Sequence, residues 1–292
     1  MDLAPKLTML ISLLIFGTIG LVRRFIPLDS VPLALLRALL GCVTLVLIMA
    51  VTRQLLRLRE LLAYKGKLLL CGLLLGLDWI CFFESFNYTT VAVATLCYYM
   101  APVFMLLAAP LVFHETLGPW KLACAGCTIL GMLLVSGYVG STEIQIQGPG
   151  VVFALLGALF YAGVIILNKG ILGLTAYEKS ATQLGIAALL LLPYTAAVGK
   201  LHFAGVGTTG ALLILVLGVV HTGLAYGLYY GSLTQVSAQA TALLSYVDPI
   251  TAVLLSAFVL REPMSAWQAA GVCLVLGGMI GSEIKNPLKK AA

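Results

Sequence analysis

Apolar stretches close to 20 residues long recur along the whole chain, and no other feature restricts its fold as strongly. They run approximately 3–22, 31–51, 68–88, 91–113, 119–138, 150–167, 177–198, 209–232, 238–259 and 264–282. A helix needs roughly 20 residues to cross the hydrocarbon core of a bilayer. Soluble domains are roughly a quarter charged, whereas here only 10% of residues are charged and 61% are hydrophobic, which excludes a soluble fold. Strands of a membrane barrel would be shorter and polar at every second residue. The expectation is an all-α, polytopic membrane protein with ten transmembrane helices. The first stretch is a membrane helix and not a cleaved signal, because Arg23 and Arg24 follow it where a small-residue cleavage site would lie.

Basic residues are retained on the cytoplasmic side of a membrane. With ten crossings, twelve of them, among them Arg53, Arg57, Arg59, Lys65 and Lys67, fall on the side of the N-terminus. Only four, Arg23, Arg24, Lys200 and Arg261, fall opposite. This places both termini in the cytoplasm and the chain in the cytoplasmic membrane. It leaves no basic face outside the bilayer for a nucleic acid. All seven cysteines lie in apolar segments and imply no disulfide framework. Cys124 and Cys127 have metal-ligand spacing, but the same spacing puts two small residues on one packing face of a helix. No metal and no cofactor is assigned.

The stretch "YYMAPVFMLLAAPLVFHETLGPW" from Tyr98 returns 147 positions later as "SYVDPITAVLLSAFVLREPMSAW" from Ser245. Tyr99 matches Tyr246, Pro102 matches Pro249, Glu115 matches Glu262 and Trp120 matches Trp267. Trp79 likewise matches Tyr226, and Phe82 matches Tyr229. Two halves of five crossings, 1–147 and 148–292, are therefore expected. An odd number of crossings inverts the second half in the membrane, an architecture common in alternating-access transporters.

The segment "FFESFNYTTVAVATLCYYMAPVFMLLAAPLVFHETLGPWKLACAGCTILGMLLVSG" resembles the signature region of the drug/metabolite transporter superfamily in its EamA type. A weaker second copy runs from Leu224 to Glu283. The resemblance implies ten helices in two EamA repeats, and export or exchange of small metabolites. Glu84 departs from it, standing where such sequences usually carry a small or apolar residue.

Candidate site residues come from the cost of ionisable groups at membrane depth. Asp78, His221 and Asp248 count to the midplane, and Arg37 and Glu84 lie nearer the outer surface, where they could pair. Asp78 leads as a proton-coupling carboxylate, followed by Glu84 and Asp248. His221 could instead bond a nearby carbonyl, and Asp248 could satisfy backbone groups next to Pro249. Trp79, Tyr98, Tyr99, Tyr226, Tyr230 and Tyr246, with Gln239, belong to a population suited to an aromatic cavity for cationic or flat substrates. Since helix positions turn by about 100° per residue, Tyr246 with Gln239 and Asp248 with Ser245 occupy different faces. One set lines the path and the other packs. Proline removes a helix hydrogen bond and clashes with the preceding turn, so Pro102 and Pro249 are expected as paired hinges.

These features point to a secondary transporter of small metabolites such as amino acids, amines or related amphipathic compounds, driven by a proton or by exchange. Its partners are then the substrate, protons and lipid, and a monomer suffices. No Walker A motif supports direct ATP drive. A membrane-embedded enzyme would want a denser polar constellation, and a channel a ring of filter residues; both stand as alternatives, with no catalytic residue assigned.

Overall fold

The computed structural model describes residues 3–54, 56–113, 118–135, 148–201, 205–233, 235–236 and 244–283. Within them every regular element is helical: α1 (Leu3–Gly17), α2 (Ile19–Arg24), α3 (Ser30–Val51), α4 (Leu58–Ala63), α5 (Lys65–Ser85), α6 (Val91–Tyr98) and α7 (Ala101–Phe113). They continue as α8 (Pro119–Val135), α9 (Gly148–Lys169), α10 (Ala176–Ala197), α11 (Gly207–Leu215), α12 (Ala225–Leu233), α13 (Val247–Leu254) and α14 (Ala266–Glu283). Six helical spans are long and apolar enough to cross a bilayer: Leu3–Arg24, Ser30–Val51, Lys65–Ser85, Gly148–Lys169, Ala176–Ala197 and Gly207–Tyr229. Shorter apolar helices accompany them. The chain is a multi-pass membrane protein.

Two segments depart from α-helical winding. Val216–Leu224, between α11 and α12, is π-helical, as is Leu255–Val259 after α13. Such wide turns often mark functional positions. The first of them redirects His221 and Thr222, as described below.

Both prolines expected to kink a continuous helix lie instead just inside the start of a new one. A turn at Tyr99 and Met100 separates α6 from α7, which carries Pro102 as its second residue. A turn at Tyr246 precedes α13, which carries Pro249 as its third. The cause is the missing N–H: Pro102 cannot donate to the carbonyl of Tyr98, nor Pro249 to that of Ser245. The ladder breaks there, and a proline in a first helical turn carries no further cost.

Packing relies on small residues, because lipid tails give apolar helices no reason to leave them. α5 packs against α9, α10 and α3, while α3 packs against α10 and the π-helical stretch. A Cβ on Gly223 would run into Thr44 of α3, and one on Gly72 would lie 2.6 Å from Cβ of Ile186 in α10. α8 and α14 pair with each other through Gly131 and Gly271, whose backbones touch. Cys124 and Cys127 belong to this seam: the Cys127 thiol donates to the Leu274 carbonyl at 3.7 Å, and Gly281 packs on Cys124 Sγ.

Polar groups gather at the two ends of the bundle. At one end Arg57 binds Glu178 at 2.6 Å and Glu60 at 2.9 Å. Thr175 and Glu178 form a capping box that starts α10. At the other end Arg24 binds Glu262 at 2.6 Å, and Lys200 binds Asp29 at 3.1 Å.

Candidate functional site

A cavity of about 240 Å³ lies among α1, α3, α5, α6, α9, α12 and α13. Each helix contributes for a local reason. The break after Tyr98 turns Tyr98 and Tyr99 toward it, and the break before Val247 does the same for Ser245 and Asp248. Two aromatic groups line it. In one, Tyr98 stacks between Phe82 and Tyr161, with ring centroids 4.2 and 5.6 Å away. In the other, Phe16 meets Tyr226 edge-on at 5.6 Å and Tyr229 at 6.2 Å. Offset and edge-to-face geometries are those that aromatic quadrupoles favour.

Carboxylates meet this cavity through the tyrosine pair. The Tyr99 hydroxyl donates to Asp248 Oδ2, and Asp248 lines the cavity directly. The Tyr98 hydroxyl donates to Oδ2 of Asp78 at 3.1 Å. Asp78 is fully buried behind Tyr98, and its Oδ1 has no hydrogen-bond partner, facing Gly157 of α9 instead. A buried carboxyl oxygen without a partner is costly when charged.

Of the residues singled out in the sequence, Trp79, Tyr98, Tyr99, Tyr226 and Asp248 line the cavity, and Asp78 is one hydrogen bond away. Three do not line it. Glu84 accepts from Asn87 Nδ2 at 3.2 Å near the Arg24 end, so the pairing envisaged with Arg37 does not occur. His221 bridges helices: Nδ1 lies 3.1 Å from the Val216 carbonyl, and Nε2 lies 2.8 Å from the Thr18 hydroxyl. Tyr246 donates to the Met279 carbonyl at 2.7 Å and packs among α6, α9 and α14, so of the two faces near Pro249 it is Asp248 with Ser245 that lines the path. Gln239 and the side chains of Tyr230 and Pro102 lie outside the described residues.

Arg37 is the group whose position the sequence reading missed. It is 4% exposed and lines the cavity, with its Cζ 4.0 Å from the Trp79 ring centroid and 5.4 Å from that of Phe83. Its Nε donates to Thr222 Oγ1 at 2.9 Å. The cation–π seat on Trp79 holds it at the cavity wall. Its sequence signal was being a lone arginine within an apolar helix.

At the Arg24 end Glu262 gathers three donors: Arg24 Nη2 at 2.6 Å, the Val91 N–H at 2.9 Å and the Ser256 hydroxyl at 2.5 Å. Arg24 also donates to the carbonyls of Phe86 and Thr89. One carboxylate thereby ties α2, the start of α6 and the segment after α13.

This aromatic cavity in an apolar helical bundle accompanies a family match. The EamA-like transporter family matches residues 5–137 and again 148–283. The chain belongs to the EamA-like transporter family. It is similar to the uncharacterized transporter YxxF of Bacillus subtilis, at 31% identity covering 93% of this chain and 86% of that protein. The uncharacterized transporter YwfM of the same organism is 28% identical, covering 94% and 92%. A solved crystal structure superposes with a TM-score of 0.69 at 17% identity over 96% of this chain and 98% of its own, a likeness of fold. This EamA-like chain is a membrane transporter.

Proposed function

We propose that this EamA-like chain is a secondary transporter of the cytoplasmic membrane. It moves a small metabolite, such as an amino acid, an amine or a related amphipathic compound, by alternating access, with a proton carried on Asp78. The observation that carries this reading is the cavity whose two aromatic walls each draw rings from both family matches, with a carboxylate held by each of the adjacent tyrosines.

Two inverted five-helix halves, 1–147 and 148–292, underlie the scheme, and the packing is consistent with them. α5 lies on α9 as α12 lies on α1, and α3 lies on the π-helical stretch as α10 lies on α5. Trp79 and Tyr226, at the repeat offset, both line the cavity. Exchange of equivalent contacts between halves gives two conformations of similar energy. The Glu262 cluster holds the Arg24 end closed in the present one. By the distribution of basic residues this end is the outer one, leaving both termini cytoplasmic.

The test uses the purified chain in proteoliposomes with a substrate found by thermal-shift screening of metabolites. Saturable uptake, acceleration by substrate on the far side, and accumulation driven by an imposed pH gradient are expected. Linear, unsaturable flux would indicate a channel, and chemical conversion of the solute an enzyme; either would overturn the reading.

A further inference from the structure

Among the described residues the cavity wall carries one cation, Arg37, and one carboxylate, Asp248. Asp248 is engaged by Tyr99. Arg37 is withdrawn from water, yet no ion pair with a carboxylate reaches it among the described residues. A buried guanidinium whose charge is not matched is costly. The groups that touch it are neutral, and Asp78 and Asp248 act on its charge only from beyond ion-pair distance.

Its placement is specific. The Thr222 hydroxyl donates to the Leu217 carbonyl five residues back, a bond the π-helical winding makes available. Its proton is thereby committed, and its lone pairs face Arg37, whose Nε donates to them at 2.9 Å. Trp79 and Phe83 offer ring faces to the guanidinium plane. With Nε occupied, the paired Nη groups remain, and they form the edge that matches a carboxylate through two parallel hydrogen bonds.

We propose that Arg37 is the anion-recognising residue of the cavity, positioned by Thr222, and that the compound carried is a zwitterionic amino acid whose carboxylate docks on the Nη edge while its ammonium lies toward Asp248. This narrows the proposed function, on which it rests, to amino compounds that bear a carboxylate, and it sets simple amines aside. Size agrees: about 240 Å³ is below the roughly 300–1,000 Å³ of pockets that take drug-sized ligands. Charge agrees as well, because a zwitterion matches both wall charges and adds no net charge to a low-dielectric site. The aromatic walls receive its apolar body.

Trp79, beneath the guanidinium, supplies the readout. The three tryptophans are Trp79, Trp120 and Trp267, so a full-length Trp120→Phe, Trp267→Phe protein in detergent reports on the cavity alone. It is titrated with the natural L-α-amino acids, and the best responder is compared with its carboxamide and its deaminated carboxylic acid. A saturable fluorescence change is expected with the amino acid, and binding of the carboxamide at least about tenfold weaker, the scale of one lost charge-assisted hydrogen bond. Arg37→Gln should show a similar loss, Arg37→Lys a smaller one, and Thr222→Val about a threefold weakening. Asp248→Asn should weaken the amino acid and spare the deaminated acid.

The proposal is overturned if no amino acid gives a saturable change, if the carboxamide binds as tightly as the acid, or if Arg37→Gln binds as the parent does. Should Arg37→Gln fail to purify as a monodisperse protein, Thr222→Val decides, and unchanged affinity there overturns it. Counterflow of the responder in proteoliposomes separates the two readings. Arg37-dependent binding without exchange removes the transporter scheme and leaves Arg37 in place. Exchange of a carboxylate-free amine, with no amino acid bound, does the reverse.

Discussion

The Tyr98 hydroxyl donates to Oδ2 of Asp78 at 3.1 Å and stands between that carboxyl and the cavity. The next residue, Tyr99, holds Asp248 in the same way, so one break in the chain serves an acid from each family match. A rotation of the α6–α7 break would move both tyrosines together.

Asp78→Asn keeps the size of the side chain and removes its titration. Accumulation driven by a pH gradient should fall to the level of empty liposomes, while counterflow at uniform pH stays within a few-fold of the parent. Full gradient-driven accumulation would take Asp78 out of the coupling step.

Tyr98→Phe removes the hydrogen bond to Asp78, whose other oxygen already lacks one. Leaving a buried polar group unpartnered costs about 1–3 kcal/mol, so the melting temperature in detergent should drop. An Asp78→Leu, Tyr98→Phe double variant should lose less than the sum of the two singles, because each substitution removes the one hydrogen bond the residues share. Strict additivity would contradict the pairing.

Pro102→Ala and Pro249→Ala each restore an N–H that could continue the helix through the break. Exchange should slow several-fold in each single variant and more in the double, with gel-filtration profiles unchanged. Parental rates in all three would confine the prolines to packing.

Glu262→Ala releases Arg24, the Val91 N–H and the Ser256 hydroxyl together. In a background free of native cysteines, Ala252→Cys, which lines the cavity, should react severalfold faster with a membrane-impermeant thiol reagent added outside. Equal rates with and without Glu262 would argue against this cluster closing the Arg24 end.

Sidedness is checked with two further cysteines in intact cells. Lys65→Cys should react only with permeant reagents, and Lys200→Cys with impermeant ones. Reversal of this pattern would invert the orientation derived from the basic residues.

Apolar length and sparse charge were sufficient to determine a helical membrane protein, since an unpaired backbone in lipid is too costly for any open alternative. The 147-residue offset and the EamA resemblance were legible too, because proline, glutamate and tryptophan recur at fixed positions. Proline chemistry located both helix breaks to within a few residues. What lines the cavity was another matter. Glu84 and Arg37 looked like partners, yet Asn87 takes one and Trp79 with Thr222 the other. Tyr246 and Asp248 stand two residues apart, and only Asp248 lines the cavity. A side chain's direction changes by about 100° with each helical residue, and the π-helical turns shift that phase further at Thr222. Which face becomes a wall is set by helices more than a hundred residues distant, so the tertiary structure alone decided it.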